Sequence, residues 1–156
     1  MKKTHTLFAA AAFCTCLMSF SSFAMTRAEY RDAAAQVKEE LRAVTAEITE
    51  LGAANKAMNA DYKTVIQTKK ATGTLPIDKA DWKEARTLKK EIAAIKQSMP
   101  EPVTKEERSA VKAYVKDKNF DAAYDSLNGL LERKRARLDS IRQINDIWNE
   151  IDPLIH

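Results

Sequence analysis

The chain is poor in the residues that carry most enzyme chemistry. Its only cysteines, Cys14 and Cys16, lie near the N-terminus, and beyond residue 25 its only histidine is the terminal His156. That leaves no Cys–His or Ser–His pair for nucleophilic catalysis and no His/Cys set for zinc. The serines past the first two dozen residues, Ser98, Ser109, Ser126 and Ser140, do not sit in a Gly-x-Ser-x-Gly elbow. With three glycines in the whole chain, there is no phosphate-cradling loop and no calcium-loop pattern. Two carboxylate pairs at i,i+4 exist, Asp121 with Asp125 and Asp146 with Glu150. The first suits a helix N-terminus and the second can pair with Arg142, so both read as solvated charge. No catalytic residue, metal ligand or cofactor is expected, and the chain is read as a non-enzyme.

Long apolar runs are also missing. The longest, "LFAAAAFCTCLM", has 12 residues and follows the basic start "MKKTH". It is too short to span a bilayer comfortably. It is followed by "SFSSFA", which places Ser22 and Ala24 at −3 and −1 of a cut before Met25. This is the pattern of a secretory signal peptide. Neither Cys14 nor Cys16 has the preceding residues of a lipoprotein signal. The expected division is a cleaved leader, 1–24, and one domain, 25–156, that is exported to a periplasmic or extracellular space without stable membrane insertion. Cleavage removes two lysines and no acid, so 26 basic and 22 acidic residues become 24 and 22, a net of +2. So small an excess argues against nucleic acid as the partner. Both cysteines leave as well, so no disulfide is available and packing must hold the domain together.

What remains is helical. There is no period-2 apolar run, and Pro and Gly mark only a few breaks. The first helix is expected over Arg27–Ala71, with Thr26 and Glu29 as a capping box. Its apolar positions step by three and four from Tyr30 to Val65, a heptad seam in which Asn55 fills one a position. Gly52 lies beside that seam and costs roughly 1 kcal/mol relative to alanine. The heptad phase survives "GAAN", so one continuous helix is favoured over two. An Asn at a fixes register at a cost in stability, so Asn55→Leu is expected to raise thermal stability. A second helix is expected over Lys79–Ser98, capped by Asp78. A third starts at Thr104, boxed by Glu107, and runs to Lys116. The last spans Asp121–Ile151, with Lys134 and Asn145 as polar slots in its apolar face.

Four helices of about 45, 20, 13 and 31 residues make a poor compact bundle. Joining the second and third through "PEP" evens the lengths. The expected fold is therefore all-α: an elongated antiparallel helical bundle, up-down-up, its middle arm broken at Pro100/Pro102, with coiled-coil heptad seams. Parallel coils pair g with e, which couples Glu40, Glu47 and Asp61 of the first helix with Arg135 and Arg142 of the last. The junction "KDKNFDAAYDSLNGLL" resembles the turn between the two helices of a tetratricopeptide repeat over about 16 residues. The resemblance implies an antiparallel helical hairpin there, and no function.

Two surfaces are candidates for binding. If the first helix outruns its neighbours, Met58, Tyr62, Val65 and Ile66 form an exposed apolar strip for a partner. The run "ERKRAR" contains Arg133, Lys134, Arg135 and Arg137, a candidate contact for an anionic surface. The bland reading of the run is the basic edge of a coiled coil, and that of the aromatics is core. In general form the chain is similar to the small helical envelope chaperones, without the "LTxxQ" repeats found in one of them. The expected function is a non-catalytic binding protein, a periplasmic-type holdase or envelope-stress adaptor. The alternative is a structural coiled-coil spacer. The expected partners are proteins: unfolded clients, envelope components, or a second copy in a homodimer.

Overall fold

The computed structural model describes residues 24–156; of the expected leader it includes only Ala24. Among these residues there are four helices and no strand: α1 (Arg27–Thr72), α2 (Lys79–Ser98), α3 (Lys105–Lys116) and α4 (Phe120–Ile155). Helix starts lie where local chemistry demands. The Thr26 hydroxyl accepts from the Glu29 amide at 3.3 Å while the Glu29 carboxylate accepts from the Thr26 amide at 2.8 Å. The box at Thr104 and Glu107 repeats this at 3.2 and 2.8 Å, and Asp78 accepts from the Ala80 amide at 2.6 Å. Each satisfies amides that a helix start leaves without partners.

Helix α1 is unbroken through Gly52 and Asn55. It ends where Gly73 adopts φ +75°, a left-handed conformation that glycine tolerates at no steric cost. Between α2 and α3, Met99 is extended, as the residue before a proline prefers. The Pro100 carbonyl left free by the break accepts from Arg137 Nη1 at 2.6 Å. Helix α4 runs one turn beyond the expected stop at Ile151, through Pro153 to Ile155. Ile155 is buried there, so packing outweighs the helix bond that proline removes.

Helix α4 is the common support. Each of the other three packs on it, whereas no Cα of α1 lies within 8 Å of one in α2 or α3. Contacts between α1 and α4 climb in the same order along both: Tyr30 stacks on Phe120 at 5.6 Å, Glu40 meets Arg135, Glu47 meets Arg142 at 2.7 Å, and Tyr62 meets Trp148 edge-on at 6.0 Å. The two ion pairs expected between these helices therefore form. Helix α3 contacts α4 in the opposite order, with Glu107 on Arg133 and Val111 in the cluster of Leu127 and Leu130. This is the hairpin that the repeat-like junction implies.

The core divides in two along α4. One cluster joins Tyr30, Val37, Val111, Leu127 and Leu131; the other joins Tyr62, Val65, Ile92, Trp148 and Ile151. Each large apolar side chain so buried contributes about 1.5–3 kcal/mol. Between the clusters Asn55 faces Asn145: Asn145 Nδ2 donates to Asn55 Oδ1 at 3.0 Å, and Asn55 Nδ2 donates to the Ile141 carbonyl at 3.3 Å. The second cluster corrects the expected exposed strip. Tyr62 and Val65 are 6% and 7% exposed, and Met58 and Ile66 pack against the same cluster. Helix α1 does not outrun its neighbours, because the extra turn of α4 and the first turns of α2 reach its distal half. Among the described residues no helix is long and apolar enough to cross a membrane.

Candidate functional site

α1 and the α2–α3 arm both rest on α4 with their backbones held apart; side chains bridge them at the α2 end, where Tyr62 stacks on Trp82 at 5.1 Å and Lys89 reaches Asn59, and hollows open along the cleft between them. The α1 residues lining it follow one stripe: Lys38, Leu41 and Thr45, then Gly52 and Asn55, then Tyr62 and Ile66. On α4 the stripe is Leu127, Leu130, Lys134, Arg137, Ile141 and Ile144. The most voluminous of the hollows described, about 690 Å³, lies at the α3 end and has an apolar floor of Leu41, Val103, Val111, Val115, Leu127 and Leu130. Smaller hollows of about 530 Å³ and 500 Å³ follow toward the other end, and a fourth, of about 580 Å³, opens on its α2 shoulder.

Charge is sharply sorted around the cleft. Fourteen basic side chains line these hollows against one acidic side chain, Glu101. They come from a domain with 24 basic and 22 acidic residues. Arg42 alone among the fourteen has a carboxylate within 4 Å, Glu39 at 3.5 Å, with both side chains highly exposed; such a pair is worth little. By contrast, Arg133, Arg135 and Arg142, turned elsewhere, each meet a carboxylate of another helix. The cations of the cleft come in i,i+4 pairs on both walls: Lys38 and Arg42 on α1, Lys79 and Lys83, Arg86 and Lys90 on α2, and Arg108 and Lys112 on α3.

Two lysines register the crowding. Lys134 donates to Thr45 Oγ1 at 2.6 Å, and burial together with the nearby Arg108 charge lowers its pKa. Lys89 lies 4.1 Å from the Trp148 ring centre and donates to Asn59 Oδ1 at 2.8 Å. Burial first, then repulsion from Lys96 and Lys63, lowers its pKa from 10.5 to about 8. The indole face and the Asn59 oxygen oppose that shift by favouring the charged form.

The structure scatters the basic run. Arg133 goes to Glu107 of α3 at 2.5 Å and Arg135 to Glu40 of α1, whereas Lys134 and Arg137 face the cleft. The four thus make no single surface for an anion, and the basic-edge reading accounts for Arg133 and Arg135. Of the apolar strip, Tyr62 and Ile66 border the cleft beside Trp82. Sequence reasoning missed the remaining cations, which are dispersed over α1, α2 and α3. Their signal was the i,i+4 basic pairs flanking apolar stripes. Among the described residues no group of three or more metal-ligating side chains lies close together. Compared with protein-family models, with curated proteins and with solved structures, the chain matches none.

Proposed function

We propose that this chain is an exported, non-catalytic helical binding protein, a periplasmic-type holdase or envelope-stress adaptor, that engages acidic protein partners through the cleft between α1 and the α2–α3 arm. The observation that carries the reading is the charge sorting: fourteen cations to one acid along a partly apolar channel, with thirteen of the cations unpaired. Holding like charges together costs free energy that an anionic partner would relieve. Export rests on the leader-like first 24 residues. The cleft takes over the binding role first expected of the Met58–Ile66 strip. We further propose that the arrangement is an up-down-up bundle with heptad seams, supported by the order of the α1–α4 and α3–α4 contacts. The alternative, a coiled-coil spacer dimerising through α1, has less support, because Tyr30, Val37, Tyr62 and Val65 already face partners within the chain.

The test uses two aggregating clients of matched size and opposite net charge, followed by light scattering with equimolar protein. Suppression is expected for the acidic client alone, and is expected to fade between about 50 and 300 mM salt as the charges are screened. If neither client is held, the holdase reading fails. A mass that falls from dimer to monomer on dilution would then favour the spacer.

A further inference from the structure

The cleft has a repeating geometry that narrows the class of partner. We infer that its α3 end is a docking groove for an acidic amphipathic helix of another protein, with the helix's apolar stripe on the Leu41–Val111–Leu127 floor and its carboxylates along both walls. The inference rests on the cleft being the binding surface, as proposed above.

Three observations select a helix. The first is length. Along α1 the hollow at the α3 end is lined from Tyr30 to Thr45, which at 1.5 Å per residue is about 22 Å, or four helical turns. The second is the support: α1 and α3 flank α4 without Cα atoms within 8 Å of each other. Helices that pack directly have axes about 8–10 Å apart, so the guest would lie between two walls that do not already fill the space. The third is the charge pattern. Lys38 and Arg42 form one row and Arg108 and Lys112 the other, each at i,i+4. A helix with glutamates at i,i+4 on both flanks of an apolar face has the same pitch. A fatty acid or a lipid presents one anionic head, which would engage one end of the hollow and leave a row idle. A polyanion without apolar groups would have no use for the floor. Lys134 lines the groove, half-buried, and its one hydrogen bond is to the Thr45 hydroxyl, so a carboxylate entering there gains a partly desolvated cation.

The experiment titrates the full chain into a dye-labelled 15-residue peptide with leucines at i, i+3, i+4 and i+7 and glutamates beside them. Anisotropy reports binding, and circular dichroism reports helix formation in the peptide. The peptide is expected to bind and become helical. Lys38→Glu with Lys112→Glu is expected to weaken it about tenfold or more and to favour a version with lysine in place of each glutamate. Both positions are exposed, so the variant is expected to keep its helicity and melting midpoint; a variant that loses them is replaced by Arg42→Gln with Lys112→Gln, for which the same weakening is expected. Equal binding of the two peptides to wild type, or indifference to charge reversal, overturns the inference. If laurate or phosphatidylglycerol vesicles bind, with the same dependence on Lys38 and Lys112, and the peptide does not, the helix is wrong while the cleft stands as a binding surface. If no ligand binds and no client is held, both readings fall.

Discussion

At the scale of single residues, polar atoms inside the helix contacts decide more than propensity does. Asn55 reads in sequence as a tolerated cost in an apolar seam, so its loss would be a gain. In the structure it receives the Asn145 amide and itself donates to the Ile141 carbonyl. Asn55→Leu leaves the Asn145 Nδ2 hydrogens without their acceptor in a half-buried place, which costs about 1 kcal/mol. The single variant is therefore expected to melt a few degrees lower, and Asn55→Leu with Asn145→Leu at or above wild type. A single variant that melts higher than wild type would return Asn55 to the role read from sequence. Lys89 makes a second residue-level case. Its folded pKa, about 8, lies below the unfolded value near 10.5. Between those values the unfolded chain binds more protons, so stability is expected to rise with pH from about 8 to 10.5 and to be flat below. Lys89 is half-buried and still reaches solvent, which screens the effect and keeps the slope shallow. Lys89→Met should remove that part of the slope, as read from melting midpoints at several pH values. An unchanged slope would show that the Trp148 face holds the lysine fully charged.

Among the elements, what was legible in sequence was what short-range chemistry fixes. Thr26 with Glu29, Asp78, and Thr104 with Glu107 start helices because a cap needs only its own first turn. Gly52 interrupts nothing because it lies well inside a 46-residue helix and packing on α4 holds both sides. The end of α4 was not legible: Pro153 reads as a stop, and only the tertiary burial of Ile155 carries the helix past it. The misplaced strip follows from the same gap, since exposure of Tyr62 and Val65 depends on how far another helix reaches. The cleft was legible only in fragments, because its walls join cations more than sixty residues apart in the chain, such as Lys38 and Lys112. Gly52 offers a direct test of the continuous helix. A Cβ built there meets no atom within 4 Å, so Gly52→Ala changes backbone propensity alone. It is expected to stabilise the protein by roughly 0.5–1 kcal/mol, measured by urea unfolding with an unchanged m-value. A loss of stability would indicate a hinge at "GAAN" that alanine stiffens.

For the whole molecule, sorting of charge is the organising feature. On α4, Arg135 and Arg142 hold carboxylates of α1 and Arg133 holds one of α3, so those contacts are neutralised. Thirteen of the fourteen cations lining the hollows have no carboxylate within 4 Å, while Tyr114, at 38%, is the one large apolar side chain classed as exposed among the described residues. Met25, just before α1, is tied into this frame as well. The Met25 backbone nitrogen lies 3.2 Å from both carboxylate oxygens of Asp121, at the first turn of α4. In the uncut chain that nitrogen is a neutral amide. If export cuts before Met25, it becomes an ammonium, and the hydrogen bond becomes an ion pair that fastens the start of α1 to the start of α4. At so exposed a place the pair is worth about 0.2–1 kcal/mol. Asp121 also favours the α4 N-terminus, but that contribution is the same before and after cleavage. Asp121→Asn is therefore expected to lower the melting midpoint of the cut chain by about 1–4 °C more than that of the uncut chain. The difference should vanish as pH rises through the range in which a free α-amino group loses its proton, about 8 for an ordinary amino terminus. Intact mass identifies the first residue of the cut chain. A start other than Met25, or an equal effect of Asp121→Asn in both chains, would remove the ammonium from this contact.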